Sequence, residues 1–187
     1  MSDWQNHKFQ VLQSRTVYRG RAFQVRRDTV LFPHGREAEL DIIDHNGAVT
    51  ILPLDGRQNV IFIRQYRHAA GDILLELPAG TLEPQEDPAV CAQRELQEET
   101  GLRAATLTPL GSFFLAPGYS TEYMVVYLAQ ELSPAPLPGD EDEFLSTEPI
   151  PLQRAYEMAR QGEIRDAKSL AALFLAAPYL KKVMWKE

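Results

Sequence analysis

Three glutamates lie close together between Pro88 and Thr100, and their spacing suits a metal site. Glu95 and Glu99 are four residues apart, so on a helix they project from one side, one turn above the other. Glu98 lies beside them. Like charges at this spacing repel on an isolated helix, and a hard cation such as Mg²⁺, which takes carboxylate oxygens, would relieve the repulsion. A solvated acidic helix face is the commoner interpretation of such a charge run taken alone.

The ends of this segment predict a helix, and one basic residue supports a metal site on it. Asp87 suits the N-cap, and Pro88 suits the first helical position, where the missing N–H of proline costs nothing. Gly101 is typical of a left-handed C-cap. Arg94 precedes Glu98 by four residues and can orient a carboxylate through a charge-assisted hydrogen bond.

The residues around this helix match a family motif. Five residues separate Gly80 from Glu86, seven separate Glu86 from Arg94, and the stretch up to Leu102 reads Arg-Glu-Leu-Gln-Glu-Glu-Thr-Gly-Leu. This pattern matches the Nudix box at every defined position, so the chain resembles the Nudix hydrolases. The resemblance implies an α/β (α+β) fold, a Nudix-type α/β/α sandwich with a mixed sheet. It also implies hydrolysis of a nucleoside diphosphate linked to another group.

The resemblance implies a role for each matched residue. Glu95 and Glu99 correspond to the principal metal ligands, and the backbone carbonyl of Ala79 corresponds to another. Glu98 is a catalytic candidate, either as a third ligand or as a near neighbour of the ion. Gly80 provides a close approach of the backbone. Two further residues support the helix, namely Glu86 and Arg94. The expected ion is Mg²⁺, with Mn²⁺ as the alternative.

Two segments after the box narrow the resemblance to the ADP-ribose pyrophosphatases within the family. Pro117 and Gly118 form a strong turn signal that resembles this subgroup, although an ordinary strand-connecting turn is the alternative. Residues 140–143 are all acidic, which by composition indicates a solvated loop tip. In this subgroup a mobile acidic loop brings a catalytic glutamate over the diphosphate. By that resemblance Glu141 is the candidate general base and Glu143 an additional metal ligand, or the two exchange roles.

Candidates for substrate binding lie before the box. Arg67 resembles the arginine that contacts the terminal phosphate in this subgroup, a task suited to a planar guanidinium. Arg64 is a second candidate or a surface residue. Glu76 could reach a ribose hydroxyl or a metal-bound water, or make a structural hydrogen bond to a loop. Tyr18 and Arg19 are candidates for contacts with adenine, with sheet core or surface as the alternatives.

The elements that must position these residues are strands on both sides of the box and two later helices. Stretches rich in β-branched and aromatic residues predict strands at 11–18, 22–27, 28–32, 37–44, 48–54, 59–66, 107–115 and 123–130, and helices at 152–160 and 167–175. Residues 133–142 read as a long exposed loop. We expect an N-terminal antiparallel β region at 1–46 and a Nudix catalytic domain at 47–187. The resemblance implies that the N-terminal sheet is swapped across a homodimer.

Composition and charge limit the choice of partners. Hydrophobic residues make up 44% of the chain and charged residues 24%, as in ordinary globular proteins. The net charge of -7 argues against nucleic acid, although a bound metal ion still allows a small phosphorylated substrate. Met1 to Gln10 contains no apolar signal core, and Cys91 is the only cysteine, which favours a reducing compartment. We therefore expect a soluble, cytoplasmic protein that binds neither nucleic acid nor membrane.

The sequence predicts Mg²⁺-dependent hydrolysis of a nucleoside diphosphate sugar, with ADP-ribose cleaved to AMP and ribose 5-phosphate. GDP-mannose and ADP-glucose are alternative substrates, because enzymes for them share the scaffold and the metal site. A non-catalytic module that senses ADP-ribose is disfavoured. Such domains usually lose box carboxylates, whereas here all four are present: Glu86, Glu95, Glu98 and Glu99.

Overall fold

The computed structural model describes residues 7–21, 23–139 and 144–184, and the side chains of residues 181–184 lie outside that description. The chain divides into two compact units. The first comprises Met1–Asn46 and Phe114–Tyr123, and the second comprises Gly47–Phe113 and Met124–Glu187. Within the described residues, no helix is both long enough and apolar enough to cross a membrane.

The first unit contains an antiparallel sheet of β1 (Gln10–Arg19), β2 (Gln24–Leu31) and β3 (Glu37–Asp44), in the order β1-β2-β3. The prediction of two separate strands at 22–27 and 28–32 is wrong, because β2 runs through both stretches. The charged residue at its centre, Asp28, is buried and accepts hydrogen bonds from Ser14 at 2.6 Å and Arg26 at 3.1 Å. These partners satisfy the carboxylate, so the strand continues past it.

The second unit contains most of two further sheets and, among the described residues, three helices. One sheet has the order β7-β4-β9-β8, formed by β4 (Ala48–Pro53), β7 (Ala79–Thr81), β8 (Leu102–Phe114) and β9 (Tyr123–Pro134). The other has the order β10-β5-β6, formed by β5 (Asn59–Arg67), β6 (Asp72–Glu76) and β10 (Leu145–Pro151). The helices are α1 (Pro88–Thr100), α2 (Leu152–Gln161) and α3 (Ala167–Met184). Because β4 is parallel to β9 and antiparallel to β7, the first of these sheets is mixed.

Alternate residues of β4 face opposite sides of the sheet, and helices cover both sides. Val49 and Ile51 pack in one core with Leu96 of α1. Leu52 packs in a second core with residues of α2 and α3, including Leu173. This alternation follows from the two-residue period of a strand. The second unit is therefore an α/β/α sandwich with a mixed sheet, which confirms the predicted fold class.

Two elements that contain a proline differ from the sequence-based expectation. Strand β10 was not predicted, and it contains Pro149. It lies at the edge of its sheet and pairs with β5, a position where the missing N–H of a proline is tolerated. Helix α3 passes through Pro178 and extends beyond the predicted end at residue 175. Ala176 and Leu180 are buried on either side of this proline, and their burial stabilises the continued helix.

Candidate active site

Helix α1 presents the box glutamates, and its ends are those that the sequence predicts. The Asp87 side chain accepts a hydrogen bond from the N–H of Ala89 at 2.8 Å, and Pro88 is the first helical residue. Gly101 ends the helix with a φ of 71°, in the left-handed region, and its N–H donates to the carbonyl of Gln97. The caps therefore fix where α1 begins and ends.

Glu99 joins this helix to strand β7. Its side chain is buried, and its Oε2 accepts a hydrogen bond from the backbone N–H of Ala79 at 3.0 Å. The resemblance assigns the carbonyl of Ala79 to the metal, and the structure shows that the N–H of the same residue binds the carboxylate. Two of the expected ligand-bearing residues are thus in direct contact.

Gly80 provides the space in which the Glu95 side chain lies. A Cβ atom added at Gly80 would lie 1.9 Å from both Cδ and Oε1 of Glu95. Real Cβ atoms do not come this close to other heavy atoms, so any side chain at position 80 would displace the carboxylate. The box glycine is required by close approach of backbone and side chain.

Arg94 lies at the centre of three box carboxylates. Its Nε and Nη2 donate to Glu86 at 3.1 and 3.0 Å. Its Nη1 donates to Glu95 at 2.7 Å and to Glu98 at 3.0 Å. The hydrogen bonds from Arg94 lower the pKa of Glu86 to about 2, and those to Glu86 raise the pKa of Arg94. Glu86 thus anchors the arginine that brings Glu95 and Glu98 together.

The chemistry of these donors fits a hard divalent cation. Glu95, Glu98 and Glu99 all offer carboxylate oxygens, which Mg²⁺ and Mn²⁺ accept as ligands. The glycine at position 80 leaves room for one of these carboxylates. Within the described part of the chain, however, no three acidic, imidazole or thiol side chains converge closely enough to hold an ion. Arg94 binds one oxygen of Glu95 and one of Glu98, and so fixes the orientation of both carboxylates.

Arg67 and Glu76 form a bidentate ion pair. The Nε and Nη2 atoms of Arg67 donate to Oε1 and Oε2 of Glu76 at 2.9 and 2.8 Å. The Glu76 side chain is 1% exposed, whereas that of Arg67 is 40% exposed. Burial would raise the pKa of Glu76, but Arg67 and Lys168 outweigh it, and the pKa is lowered. Both oxygens of Glu76 are therefore occupied by cations of the protein.

The sequence predicted the helix at 167–175 but no site residue on it, whereas the first turn of α3 contacts this ion pair. Lys168 forms ion pairs with Glu76 and, at 3.1 Å, with Asp166. The Oγ of Ser169 accepts a hydrogen bond from the N–H of Leu77 at 2.7 Å. The available signal was an aspartate three residues before a serine at the start of an apolar helix, a capping pattern. That pattern predicts the helix start and carries no information on which strand the turn contacts.

Of the remaining site candidates in the second unit, Arg64 makes no side-chain hydrogen bond or ion pair with the described box residues or with Glu76, and the other two lie outside the described residues. Arg64 forms an exposed ion pair with Glu148, with 2.5 Å between Nε and Oε2. Glu141 and Glu143 lie outside the described residues.

Four candidates belong to the first unit. Tyr18 is 55% exposed, with its ring centroid 6.2 Å from that of Phe23. Arg19 lines a cavity of about 240 Å³ in this unit. Pro117 and Gly118 form a turn in which the N–H of Ser120 donates to the carbonyl of residue 116 at 2.9 Å. A Cβ atom at Gly118 would meet no heavy atom within 4 Å.

Comparisons with protein families, with individual relatives and with solved structures all point to the same family. A family model for the NUDIX domain matches residues 44–173. An ADP-ribose pyrophosphatase of Bacillus subtilis is 34% identical over 159 residues, which are 84% of this chain and 86% of the relative. A GDP-mannose pyrophosphatase of Salmonella arizonae is 32% identical over 158 residues, 79% of this chain and 80% of the relative. A crystal structure of an ADP compounds hydrolase superposes with a TM-score of 0.85 at 31% identity, covering 95% of this chain and 97% of that one. Since the family match spans the box helix and the strands that support it, this chain belongs to the Nudix hydrolase family.

Proposed function

We propose that this protein hydrolyses the diphosphate bond of a nucleoside diphosphate sugar, with ADP-ribose as substrate and AMP and ribose 5-phosphate as products. The observation that carries the proposal is the attachment of the box helix to strand β7. Glu99 binds the N–H of Ala79, and Glu95 lies against Gly80. The name of the Bacillus subtilis relative supports ADP-ribose as substrate.

Nudix hydrolases generally use a divalent metal ion, and we propose Mg²⁺ here, with Mn²⁺ as the alternative. Glu95, Glu98, Glu99 and the carbonyl of Ala79 would hold it. When bound, the ion neutralises charge on the diphosphate and lowers the pKa of the attacking water. Arg94 keeps Glu95 and Glu98 close together on the helix before the ion arrives.

Arg67 is the proposed contact for the terminal phosphate. Its side chain is 40% exposed, and Nη1 donates to no group among the described residues. The bidentate bond to Glu76 fixes the plane of the guanidinium, so the remaining N–H groups are oriented before the substrate binds.

Glu141 is the proposed general base, with Glu143 as an additional ligand or in the exchanged role. Support comes from the described residues that precede them. The N–H of Ala135 donates to the carbonyl of Gly101 at 2.8 Å, where α1 ends. A Cβ atom at Gly139 would lie 3.5 Å from the carbonyl oxygen of Glu98. The segment immediately before the acidic run therefore lies against the C-terminal end of α1, where the box glutamates are.

We also propose a homodimer with swapped N-terminal sheets, in which Tyr18 and Arg19 contact adenine. Every residue of β1 is exposed within the single chain. Several of them are apolar, and Val11 is 55% exposed. An exposed, apolar edge strand is usually covered by a partner. Sedimentation velocity would distinguish a dimer from a monomer. The proposed compartment is the cytoplasm, which the single, buried cysteine supports.

A second candidate function, hydrolysis of GDP-mannose, is favoured by the name of the Salmonella arizonae relative. Hydrolysis of ADP-glucose and non-catalytic sensing of ADP-ribose are further alternatives. The four box carboxylates and the described contacts of α1 argue against a sensor, since a binding module has no need of a metal site.

Hydrolysis of a panel of nucleoside diphosphate sugars, with Mg²⁺, with Mn²⁺ and with EDTA, tests the proposal. We expect ADP-ribose to be cleaved with a kcat/KM at least about tenfold above those for GDP-mannose and ADP-glucose, which corresponds to about 1.4 kcal/mol of transition-state binding. EDTA should abolish hydrolysis. Comparable rates on GDP-mannose would contradict the choice of ADP-ribose as substrate but would still support hydrolysis of nucleoside diphosphate sugars. Binding of ADP-ribose with no hydrolysis of any compound would identify a sensor.

A substitution of Glu99 tests whether α1 carries the ligands. Glu99→Gln keeps an oxygen that can accept the hydrogen bond from Ala79, so we expect the fold to remain and turnover to drop by orders of magnitude. The matched control is Glu157→Gln on α2, where the carboxylate forms an exposed ion pair with Arg154 at 3.8 Å. Near wild-type Mg²⁺-dependent activity of Glu99→Gln would show that the helix assignment is wrong.

A further inference from the structure

We propose that Lys168 is a positioning residue, which fixes Arg67 through Glu76 so that the guanidinium meets the substrate phosphate in one orientation. This inference rests on the proposed function in one respect, the assignment of Arg67 to a phosphate of the nucleoside diphosphate.

The three residues come from three different elements and meet at one carboxylate. Arg67 is on β5, Glu76 on β6 and Lys168 on α3. Oε2 of Glu76 accepts from both Nη2 of Arg67 and Nζ of Lys168. Glu76 is 1% exposed and Lys168 is 8% exposed, whereas the Arg67 side chain is 40% exposed. The buried pair therefore lies behind a cation that solvent and substrate can reach.

Lys168 is needed because Glu76 alone is a poor anchor. A buried carboxylate is costly unless it is paired and fully hydrogen-bonded, and a single mobile arginine would satisfy it only while that arginine stayed in place. The ammonium of Lys168 satisfies Glu76 from a second element, and Asp166 holds the ammonium at 3.1 Å. The carboxylate that orients Arg67 is thereby fixed whether or not Arg67 moves.

The same turn of α3 also holds the loop between β6 and β7, which leads to the box. Ser169 accepts the N–H of Leu77 at 2.7 Å, two residues before Ala79, which in turn donates to Glu99. The charge of Glu99 is close enough to contribute to the raised pKa of Arg67, after the larger effect of the hydrogen bond to Glu76. The first turn of α3 thus contacts both Glu76, which orients Arg67, and the loop that leads to Ala79.

The test compares Lys168→Met with Arg165→Met. Both remove one positive charge near the start of α3, but Arg165 forms an exposed ion pair with Asp72 and does not contact Glu76. We expect Lys168→Met to raise the KM for ADP-ribose by about tenfold, or about 1.4 kcal/mol, while kcat changes by less than about twofold. Such a split indicates loss of binding made equally in the ground state and the transition state. Arg165→Met should leave both constants unchanged.

A double-mutant cycle distinguishes positioning from simple packing. If Lys168 acts through Glu76, then Lys168→Met in a Glu76→Gln background should raise KM no further than the larger single effect. If the two substitutions raised KM independently, so that the KM of the double variant showed the product of both effects, the proposal would be overturned. An unchanged KM in Lys168→Met, with only a lower melting temperature, would also overturn it.

A direct binding measurement keeps the inference separate from catalysis and from folding. Calorimetric titration of ADP-ribose in EDTA, where no turnover is expected, should show a Kd weakened in parallel with KM. Circular dichroism verifies the fold, and Lys168→Gln, which retains a hydrogen-bond donor, replaces the methionine variant if that fails to fold. If the wild-type protein neither binds nor cleaves ADP-ribose, the substrate assignment fails, and the cycle is repeated with the best-cleaved compound of the panel. An active wild-type protein with unaltered binding by Lys168→Met and Lys168→Gln contradicts this inference alone.

Discussion

The carboxylate of Glu95 occupies the space that a side chain at Gly80 would need. A Cβ atom at Gly80 would lie 1.9 Å from Oε1 and 2.4 Å from Oε2 of Glu95. Both oxygens of a proposed metal ligand are thus placed by a glycine 15 residues earlier in the chain. The Nη1 of Arg94 holds the same carboxylate from the helix side at 2.7 Å.

Gly80→Ala should reduce activity far more than stability. The added methyl group must push the Glu95 side chain away from β7, which removes a ligand from its position while leaving both cores intact. We expect kcat/KM to fall by about 10- to 100-fold, the loss usual when the orientation of a metal ligand is disturbed. Steady-state kinetics over a range of Mg²⁺ concentrations would show it, with a weaker apparent affinity for Mg²⁺.

Gly56→Ala is the matched control for that substitution. A Cβ atom at Gly56 meets no heavy atom within 4 Å, so the same chemical change should leave kcat/KM unchanged. Equal kinetics for Gly80→Ala and the wild-type protein would show that the position of Glu95 in the structure is irrelevant to catalysis.

Arg94→Lys should weaken metal binding although it preserves the charge. The guanidinium reaches Glu86, Glu95 and Glu98 through three nitrogens, whereas a lysine offers one ammonium that cannot reproduce the fork. We expect about 10- to 100-fold weaker apparent Mg²⁺ affinity. Titration of activity with Mg²⁺ measures it, and Arg154→Lys on α2 serves as the control. Unchanged Mg²⁺ dependence in Arg94→Lys would mean that charge alone is sufficient.

Local signals predicted the box helix because its determinants lie within it. Asp87, Pro88 and Gly101 each act through the nearest backbone groups, and the structure places the helix between them. The pairing of Lys168 with Glu76 joins residues 92 positions apart, and neither neighbourhood in the sequence indicates the other. Such contacts depend on how α3 packs on the sheet, which local patterns do not specify.

Strands were predicted where apolar residues alternate and were missed or divided where polar residues or prolines have partners. The sequence predicted a break between residues 27 and 28, whereas β2 continues through Asp28, whose carboxylate is satisfied by Ser14 and Arg26. Strand β10, which was not predicted, contains Pro149, and the missing N–H of this proline is tolerated because β10 lies at the edge of its sheet. In both cases a partner on another strand makes the residue acceptable, since Ser14 lies on β1 and β10 pairs with β5.

Gln58→Gly should stabilise the protein. Gln58 lies in the loop between β4 and β5 and has a φ of 65°, which strains any residue with a Cβ atom. Glycine removes that strain from the folded chain, but it also increases the entropy of the unfolded chain, which offsets part of the gain. We expect the free energy of unfolding to rise by about 0.5–1 kcal/mol. Thermal unfolding should show a Tm increase of roughly 1–4 °C.

Arg57→Gly in the same loop supplies the comparison for Gln58→Gly. Arg57 is not among the described residues with positive φ, so glycine there only adds entropy to the unfolded chain and should lower Tm or leave it unchanged. A similar Tm change for both variants would exclude relief of strain as the cause.

Tyr156→Phe should have a cost in stability that disappears at high pH. The Tyr156 hydroxyl donates to the carbonyl of Leu173 at 2.7 Å, joining α2 to α3, and burial raises its pKa to about 12. An unfolded tyrosine ionises near pH 10. The contribution of Tyr156 to stability is therefore complete below pH 10 and is lost as pH rises through 12.

At pH 7 the phenylalanine variant should be less stable by about 1 kcal/mol, the usual net value of one hydrogen bond. Between pH 10 and 12 the wild-type protein is progressively destabilised, because ionising the buried hydroxyl costs more in the folded chain, and the variant has no such group, so the difference should fall to zero and then reverse. Urea unfolding of both proteins at pH 7, 9.5 and 11 measures this difference directly, and comparison at each pH cancels the titration of other groups. A difference that stays constant over this range would show that Tyr156 ionises equally in the folded and unfolded chains.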